Sequence, residues 1–213
     1  MKSTRTGRFR FSRTLKITRL VIYSETMIDL EEHLWTFIGA FVGIGLLGYI
    51  QSTYLSIHDN VFLVGSFGAS AVLIYGVVNS PLAQPRNLVG GHVISALIGV
   101  TVNYLVPIPW LAAALAVSTS IVLMQVTKTL HPPGGATALI AVIGSDNIKR
   151  LGYFYVLSPI LSGVVILLLV ALYFNDAANR SYPKNKHWFK VWKRTYVPVR
   201  RRPSRRLLPD GQA

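Results

Sequence analysis

The 213-residue chain contains no cysteine. That excludes a disulfide framework and thiolate chemistry. Acids are nearly as scarce: between His33 and Asn175 the only ones are Asp59 and Asp146. Paired carboxylates for acid–base work are therefore missing from the middle of the chain. There is no His-x-x-x-His pair, and His58 with Asp59 is too small a group to hold a metal. Ser70 or Ser80 with His92 would supply a nucleophile and a base, but no acid is at hand to orient the imidazole. The expectation is a protein that is not an enzyme, with no catalytic residue, no metal site and no cofactor. Residues 1–32 also lack the long apolar core and cleavage site of a removable signal peptide.

Charge is low overall and unevenly placed. Charged residues make up 14% of the chain, against about 25% in soluble domains. Of the 22 Lys and Arg, seven lie in residues 1–19 and eleven in 180–206, with only Arg86, Lys128, Lys149 and Arg150 between. The chain is 51% hydrophobic. An apolar middle of about 140 residues between two basic ends is the pattern of a polytopic membrane protein. The net charge of +14 would also suit nucleic acid. Basic tails beside membrane spans have a simpler use: they stay in the cytoplasm and face anionic lipid. A lipid bilayer is the expected partner, and nucleic acid is not.

The apolar middle divides into segments. Residues 1–32 form a basic, then acidic, cytoplasmic leader, able to lie on the membrane as an amphipathic segment or to hang free. The spans are expected at about His33–Tyr54, Val61–Val78, Leu88–Val106, Trp110–Thr127 and Tyr153–Phe174. Gly39 and Gly43 on the first permit close helix contact, and so do Ala112, Ala113, Ala114 and Ala116 on the fourth. Residues 79–87 and 145–152 read as polar loops. Residues 177–213 form a basic tail with an aromatic surface anchor at Trp188, Phe189 and Trp192.

The centre of the pattern is Lys128 to Gly144. Pro132 and Pro133 forbid a continuing helix, Gly134 and Gly135 relax the backbone, and Ala136–Ile143 is apolar. At about 1.5 Å per residue that last piece is too short to cross alone. It is expected to be half of a broken span or a re-entrant helix, with free first amides suited to an anion. Gly68-Ala69-Ser70-Ala71 matches Gly135-Ala136-Thr137-Ala138, 67 residues on. The chain then reads as two repeats of three segments, each with one short or broken member. An odd number of crossings per repeat inverts the second half. Inverted repeats with broken helices are a common plan of secondary transporters. Six crossings, or four with both short segments re-entrant, would keep the two tails on one side.

These readings converge on a small anion. Gly68, Ala69, Ser70, His131, Gly134, Gly135, Ala136 and Thr137 are expected to line its site, with the two hydroxyls facing each other across one cavity near the midplane. Arg86, His92 and Lys128 are expected to draw anions to the entrance, and a histidine would be able to couple transport to protons. Each residue also has a structural role open to it: a hydroxyl bonded one turn back, a cation obeying the positive-inside rule, a histidine at a helix end. A channel, a non-transporting scaffold and a homo-oligomer remain open.

His131-Pro132-Pro133-Gly134-Gly135-Ala136-Thr137-Ala138 resembles the signature of the HPP family of integral membrane proteins. Phe67–Ala71, Ser80–Asn87 and Gly90-Gly91-His92 extend the resemblance across residues 33–176. It implies a small protein of four or more helices. Plastid and cyanobacterial members are associated with nitrite transport, while most bacterial members are unassigned. The resemblance makes nitrite the expected anion and a bacterial inner membrane, with both termini cytoplasmic, the expected location.

Overall fold

The computed structural model describes residues 30–54 and 65–184. Residues 1–29 of the leader, the connection holding His58 and Asp59, the first residues of the second span and the tail from 185, with its aromatic anchor, lie outside the described residues, while Leu30, Glu31 and Glu32 of the expected leader belong to the first helix. Within them the fold is all-helical. The helices are α1 (Leu30–Tyr54), α2 (Gly65–Gly76), α3 (Pro85–Leu105), α4 (Pro109–Val126), α5 (Pro132–Ile143), α6 (Asp146–Arg150) and α7 (Val156–Ala177). Four of them, α1, α3, α4 and α7, are long and apolar enough to cross a membrane; α5 and the described part of α2 are shorter. Phe37, Phe41 and Tyr49 of α1 and Leu115, Ile121 and Val122 of α4 point outward and are exposed. Outer faces of that composition suit lipid rather than water.

Proline sets several of the starts. Pro85, Pro109 and Pro132 each open a helix at its first position, where the missing N–H costs nothing and the fixed φ fits. This moves two expected boundaries. The third helix begins at Pro85, inside the expected polar turn, whose remainder includes a 3₁₀ turn at Pro81–Ala83 capped by Ser80. The fifth begins at Pro132, four residues before the expected Ala136, so the two prolines start the helix as well as ending the previous one. The expected loop 145–152 contains α6, whose first turn is capped by the Ser145 hydroxyl.

Contacts along the helices fix their directions. Going along α1, Arg180 meets Glu32, Gly39 lies near Phe174, Gly43 near Leu167, and Gln51 donates to the Pro159 carbonyl. So α1 and α7 run antiparallel. On α3, Gly91 approaches His131 and Gly134, while Gly99 approaches Ala138 and Ala141, so α3 and α5 run parallel. On α2, Phe67 packs at the level of Leu47 and Gly163, while Tyr75 reaches Gly39 and Thr36. That makes α2 antiparallel to α1 and therefore opposite to α5. The end of the bundle carrying Leu30 and Lys184 also carries residues 77–84 and the 127–131 turn. The other end carries the 106–108 turn and α6.

This is the arrangement expected of two inverted three-helix halves, α1–α2–α3 and α4–α5–α7. The packing pairs exchange accordingly: α1 with α7 and α4 with α3, α1 with α2 and α4 with α5. Burial repeats in the same phase. The buried residues of α2 are Ser66, Phe67, Ser70, Ala71, Ile74 and Tyr75; those 67 positions on, Pro133, Gly134, Thr137, Ala138, Ala141 and Val142, are buried in α5. The small-residue stripes find matching uses. Gly39 and Gly43 of α1 receive the Tyr75 ring, and Ala112 and Ala116 of α4 pack on Ala138 and Val142.

A helix that stops inside a bundle needs partners for its last carbonyls. For α2 the neighbours supply them. Ile74 O accepts from Asn175 Nδ2 at 3.0 Å, and Tyr75 O accepts from Thr36 Oγ1 at 3.1 Å and from Arg180 at 3.0 Å.

Candidate functional site

The first described turns of α2 meet the start of α5 in the bundle interior, and every polar side chain there is fully or almost fully buried. Ser66 Oγ lies 2.8 Å from Thr137 Oγ1 and 3.1 Å from Pro133 O, two alternative acceptors for its one hydrogen. Thr137 Oγ1 lies 2.7 Å from His92 Nδ1. His92 Nε2 lies 2.8 Å from Ser70 Oγ, which lies 3.0 Å from His131 Nε2. His131 Nδ1 reaches Leu82 O at 2.9 Å. Five side chains from α2, α3, α5 and the residue preceding α5 thus form one continuous hydrogen-bonded line. The Tyr155 hydroxyl of α7 buttresses it by donating to Thr137 O at 3.0 Å.

Each member is positioned by packing. The Phe67 ring lies 5.3 Å from the His92 ring, and the two imidazoles are 5.1 Å apart. Gly134 is where α5 touches α3 most closely: a side chain there would meet Ser95, the Gly91 carbonyl and Met124. That glycine allows helix contact. His92 lies seven residues into α3, about 10 Å from its start at a rise of ~1.5 Å per residue. The cluster is therefore close to the middle of α3, three residues to the Pro85 side of it.

The expected site residues divide in two. Ser70, Thr137 and His131 come together, and Gly134 lies beside them. Ser70 and Thr137 do not face each other across a cavity, because the His92 ring fills the space between and bonds to both. His92, expected at an entrance, sits at the centre of the line. Ala69 is exposed and turned away; Gly68, Gly135 and Ala136 are half-buried at the margin. Ser66 and Tyr155 were not anticipated. Ser66 sits one helical turn before Ser70, the only signal the sequence offered for it.

Among the described residues, one of the two expected entrance cations has another partner and the other side chain has none. Arg86 donates to the Thr127 carbonyl at 2.5 Å and so closes the end of α4. Lys128 is exposed with φ of 58°. It is the left-handed residue of a Schellman stop, in which Lys128 N donates to Gln125 O and Thr129 N to Met124 O. Asn87 holds the same turn by donating to Leu130 O at 2.7 Å.

The start of α5 differs from a bare anion-binding terminus. Pro132 and Pro133 have no amide hydrogens, and Gly134 N already donates to His131 O at 2.9 Å. What the start of α5 contributes is dipole, while the donors that could meet a ligand are hydroxyls and imidazoles. A separate cavity of about 320 Å³ opens at the far end of α2, lined by Glu32, Val77, Asn79, Asn179, Arg180 and Ser181 among others.

Comparison with known proteins agrees with the helical, membrane-spanning reading. A transmembrane protein of Dictyostelium discoideum is 51% identical over 160 residues, covering 73% of this chain and 56% of that protein. A second Dictyostelium discoideum transmembrane protein is 46% identical over 165 residues, covering 75% and 53%. The chain spans about half the length of the curated relatives it matches. Both are eukaryotic, which gives no support to the expected bacterial inner membrane. No solved structure matches. Residues 25–183 match the family described as HPP, transmembrane region. With the match covering most of the sequence, including both short helices and the whole buried polar line between them, the chain belongs to the HPP transmembrane family.

Proposed function

We propose that the chain is a membrane transporter of a small inorganic anion, with nitrite the first to try. One observation carries the reading. Two helices of opposite direction bring their hydroxyls to one buried polar cluster, and the start of α5 adds its positive dipole end there. Serine and threonine hydroxyls and imidazole N–H groups supply donors. Arg86 and Lys128 are turned to other duties, so no full cation holds the anion, which suits weak, reversible binding. No enzyme is proposed: no carboxylate hydrogen-bonds to either histidine among the described residues. The positive-inside rule puts both basic tails in the cytoplasm, against anionic lipid. A homo-oligomer is compatible with the exposed apolar faces of α1 and α4.

One observation favours a second reading. Each hydroxyl and imidazole in the cluster already has a partner within the protein, as in a polar core that only fixes helix packing. Flux separates the two. Purified protein in liposomes is expected to move nitrite, nitrate or a similar anion faster than empty liposomes, saturating with concentration. No excess flux for any small anion refutes transport and leaves the scaffold. Flux that rises linearly with voltage and does not saturate replaces the transporter with a channel.

A further inference from the structure

The bonds of the central line constrain where its hydrogens are. A carbonyl oxygen only accepts, so His131 Nδ1, facing Leu82 O at 2.9 Å, carries the hydrogen. In neutral His131 the other nitrogen, Nε2, then accepts. Its partner is Ser70 Oγ at 3.0 Å, which must donate. Ser70 Oγ is then free to accept from His92 Nε2 at 2.8 Å. That places the His92 hydrogen on Nε2 and makes Nδ1 an acceptor for the Thr137 hydroxyl at 2.7 Å. Thr137 Oγ1 accepts in turn from Ser66 at 2.8 Å. Ser70 also has Ser66 O as an acceptor at 3.3 Å and Ser66 has Pro133 O at 3.1 Å, but pairing every imidazole nitrogen favours the direction from Ser66 to Leu82.

A second proton on His131 reverses every bond from His131 Nε2 back to Ser66, while His131 Nδ1 goes on donating to Leu82 O. His131 Nε2 becomes a donor to Ser70 Oγ, and Ser70 donates to His92 Nε2. The His92 hydrogen then sits on Nδ1 and points to Thr137 Oγ1. Thr137 donates to Ser66 Oγ, and Ser66 donates to Pro133 O, already 3.1 Å away. The reversed line is again fully satisfied. The two directions are related by a transfer that balances. A proton taken up at Ser66 Oγ displaces the Ser66 hydrogen to Thr137 Oγ1 and the Thr137 hydrogen to His92 Nδ1. The His92 Nε2 hydrogen moves to Ser70 Oγ, and the Ser70 hydrogen moves to His131 Nε2. No oxidant, reductant or co-reactant is needed.

We propose that Ser66, Thr137, His92, Ser70 and His131 form a proton relay with two directions, switched by the charge on His131. This deepens the transport reading. It rests on that reading only for the use made of the proton, and the relay is testable with no transported solute present. The surroundings leave the charge on His131 to the relay itself. Facing the two imidazoles are Ser66, Phe67 and Ser70 from α2, Thr137 from α5 and the Leu82 carbonyl. Tyr155 of α7 donates to the Thr137 carbonyl, and Ser95 of α3 points to Met124 of α4. The nearest full charges in sequence are Arg86, bonded to Thr127 O, and exposed Lys128.

The test is ¹⁵N magnetic resonance on the full chain in lipid bilayers, with labelled histidine assigned by the His92→Gln and His131→Gln variants. At high pH, His131 is expected as the Nδ1–H form and His92 as the Nε2–H form. As pH falls, His131 is expected to gain its second proton while His92 stays neutral and changes to the Nδ1–H form. The two changes share one midpoint. Ser70→Ala should uncouple them, leaving His92 in one form while His131 titrates, and Ser70→Thr should restore the coupling. Four results overturn the relay: Nε2–H on neutral His131, a charged His92, a His92 form that ignores the charge on His131, or no second proton on His131 down to the lowest pH at which the helices persist. The wild-type spectra decide the matter even if a variant does not fold. A negative anion-flux result would leave the coupled spectra intact, so the two readings fail separately.

Discussion

Gly99→Ala should show how closely the polar line depends on the contact between α3 and α5. A methyl group built at residue 99 would lie 2.6 Å from Ala138 O, 2.9 Å from Ala138 Cα and 2.8 Å from Ala141 Cβ. Two of these three are backbone atoms, so no side-chain rotation relieves the clash. A carbon usually stands about 3.4 Å from a carbonyl oxygen, so α5 must move by about 0.8 Å. Thr137, the neighbour of Ala138, bonds to His92 Nδ1 at 2.7 Å. A shift of that size carries the pair to about 3.5 Å, past the range of a good hydrogen bond. Overpacking of this kind costs ~1–3 kcal/mol, against at most about 1 kcal/mol gained from the better helix propensity of alanine. Gly45→Ala is the control: it is exposed, and no described atom lies within 4 Å of the added methyl. Unfolding free energies in bicelles should fall by about 1–2 kcal/mol for Gly99→Ala, and hold or rise for Gly45→Ala. The His92 resonance should also shift in the first variant alone. Equal stability of the two variants would refute the close-packed α3–α5 contact as the element that sets the site.

Accessibility tags should place Lys128 and Lys184 on the same side of the membrane and residues 146–150 on the other; a tag at 146–150 on the side of Lys184 would reject the inverted halves. Arg180→Met should destabilise far more than Glu32→Gln. The Arg180 side chain is 6% exposed and also serves Tyr75 O, Asn175 and Thr36, while Glu32 is 51% exposed. Losses of about 2–3 kcal/mol for the first and under about 1 kcal/mol for the second are expected in the same unfolding assay, and a larger loss for Glu32→Gln contradicts the assignment. Lys128→Gly should stabilise by about 1 kcal/mol, because the left-handed position costs an ordinary L residue about that much. Unchanged anion flux in that variant identifies Lys128 as a helix stop, whereas a drop in flux restores its role as an entrance cation.

Much of the frame was legible in the residues. Segregated charge marked the membrane region, Pro-Pro-Gly-Gly marked a short helix, and the 67-residue repeat paired it with another. Those signals are local or periodic, so a linear reading reaches them. The centre was harder to see. His92 stands 22 residues from Ser70 and 45 from Thr137, on a helix whose pattern shows only that it is apolar and begins with glycines. Its place between the two hydroxyls depends on α3 running parallel to α5, which Gly91 and Gly99 permit by close approach. Spacing within one segment carries no trace of that. The prolines were misread for a related reason. A proline pair ends one helix and begins the next with the same geometry, and sequence alone does not say how soon the next begins.

The repeat explains the frame, and departures from it explain the centre. Phe67 and Gly134 occupy the same position in their two halves, 67 residues apart. In the first half the Phe67 ring packs on Gly163 of α7 and on the His92 ring. In the second half Gly134 brings α5 down onto Gly91 and Ser95 of α3. One half therefore puts an aromatic wall where the other puts a close backbone contact. The space left between them holds two imidazoles, 5.1 Å apart. His92 enters from α3, and His131 enters from the residue before α5. A perfectly symmetric pair of halves would hold a symmetric polar centre, with equivalent donors at both ends and no preferred direction. Here the line ends at a carbonyl of the 81–83 turn on one side and at a carbonyl of α5's own first turn on the other. Inversion of the halves supplies two opposed helices. The substitution of phenylalanine for glycine at one equivalent position gives the centre they share two distinguishable ends.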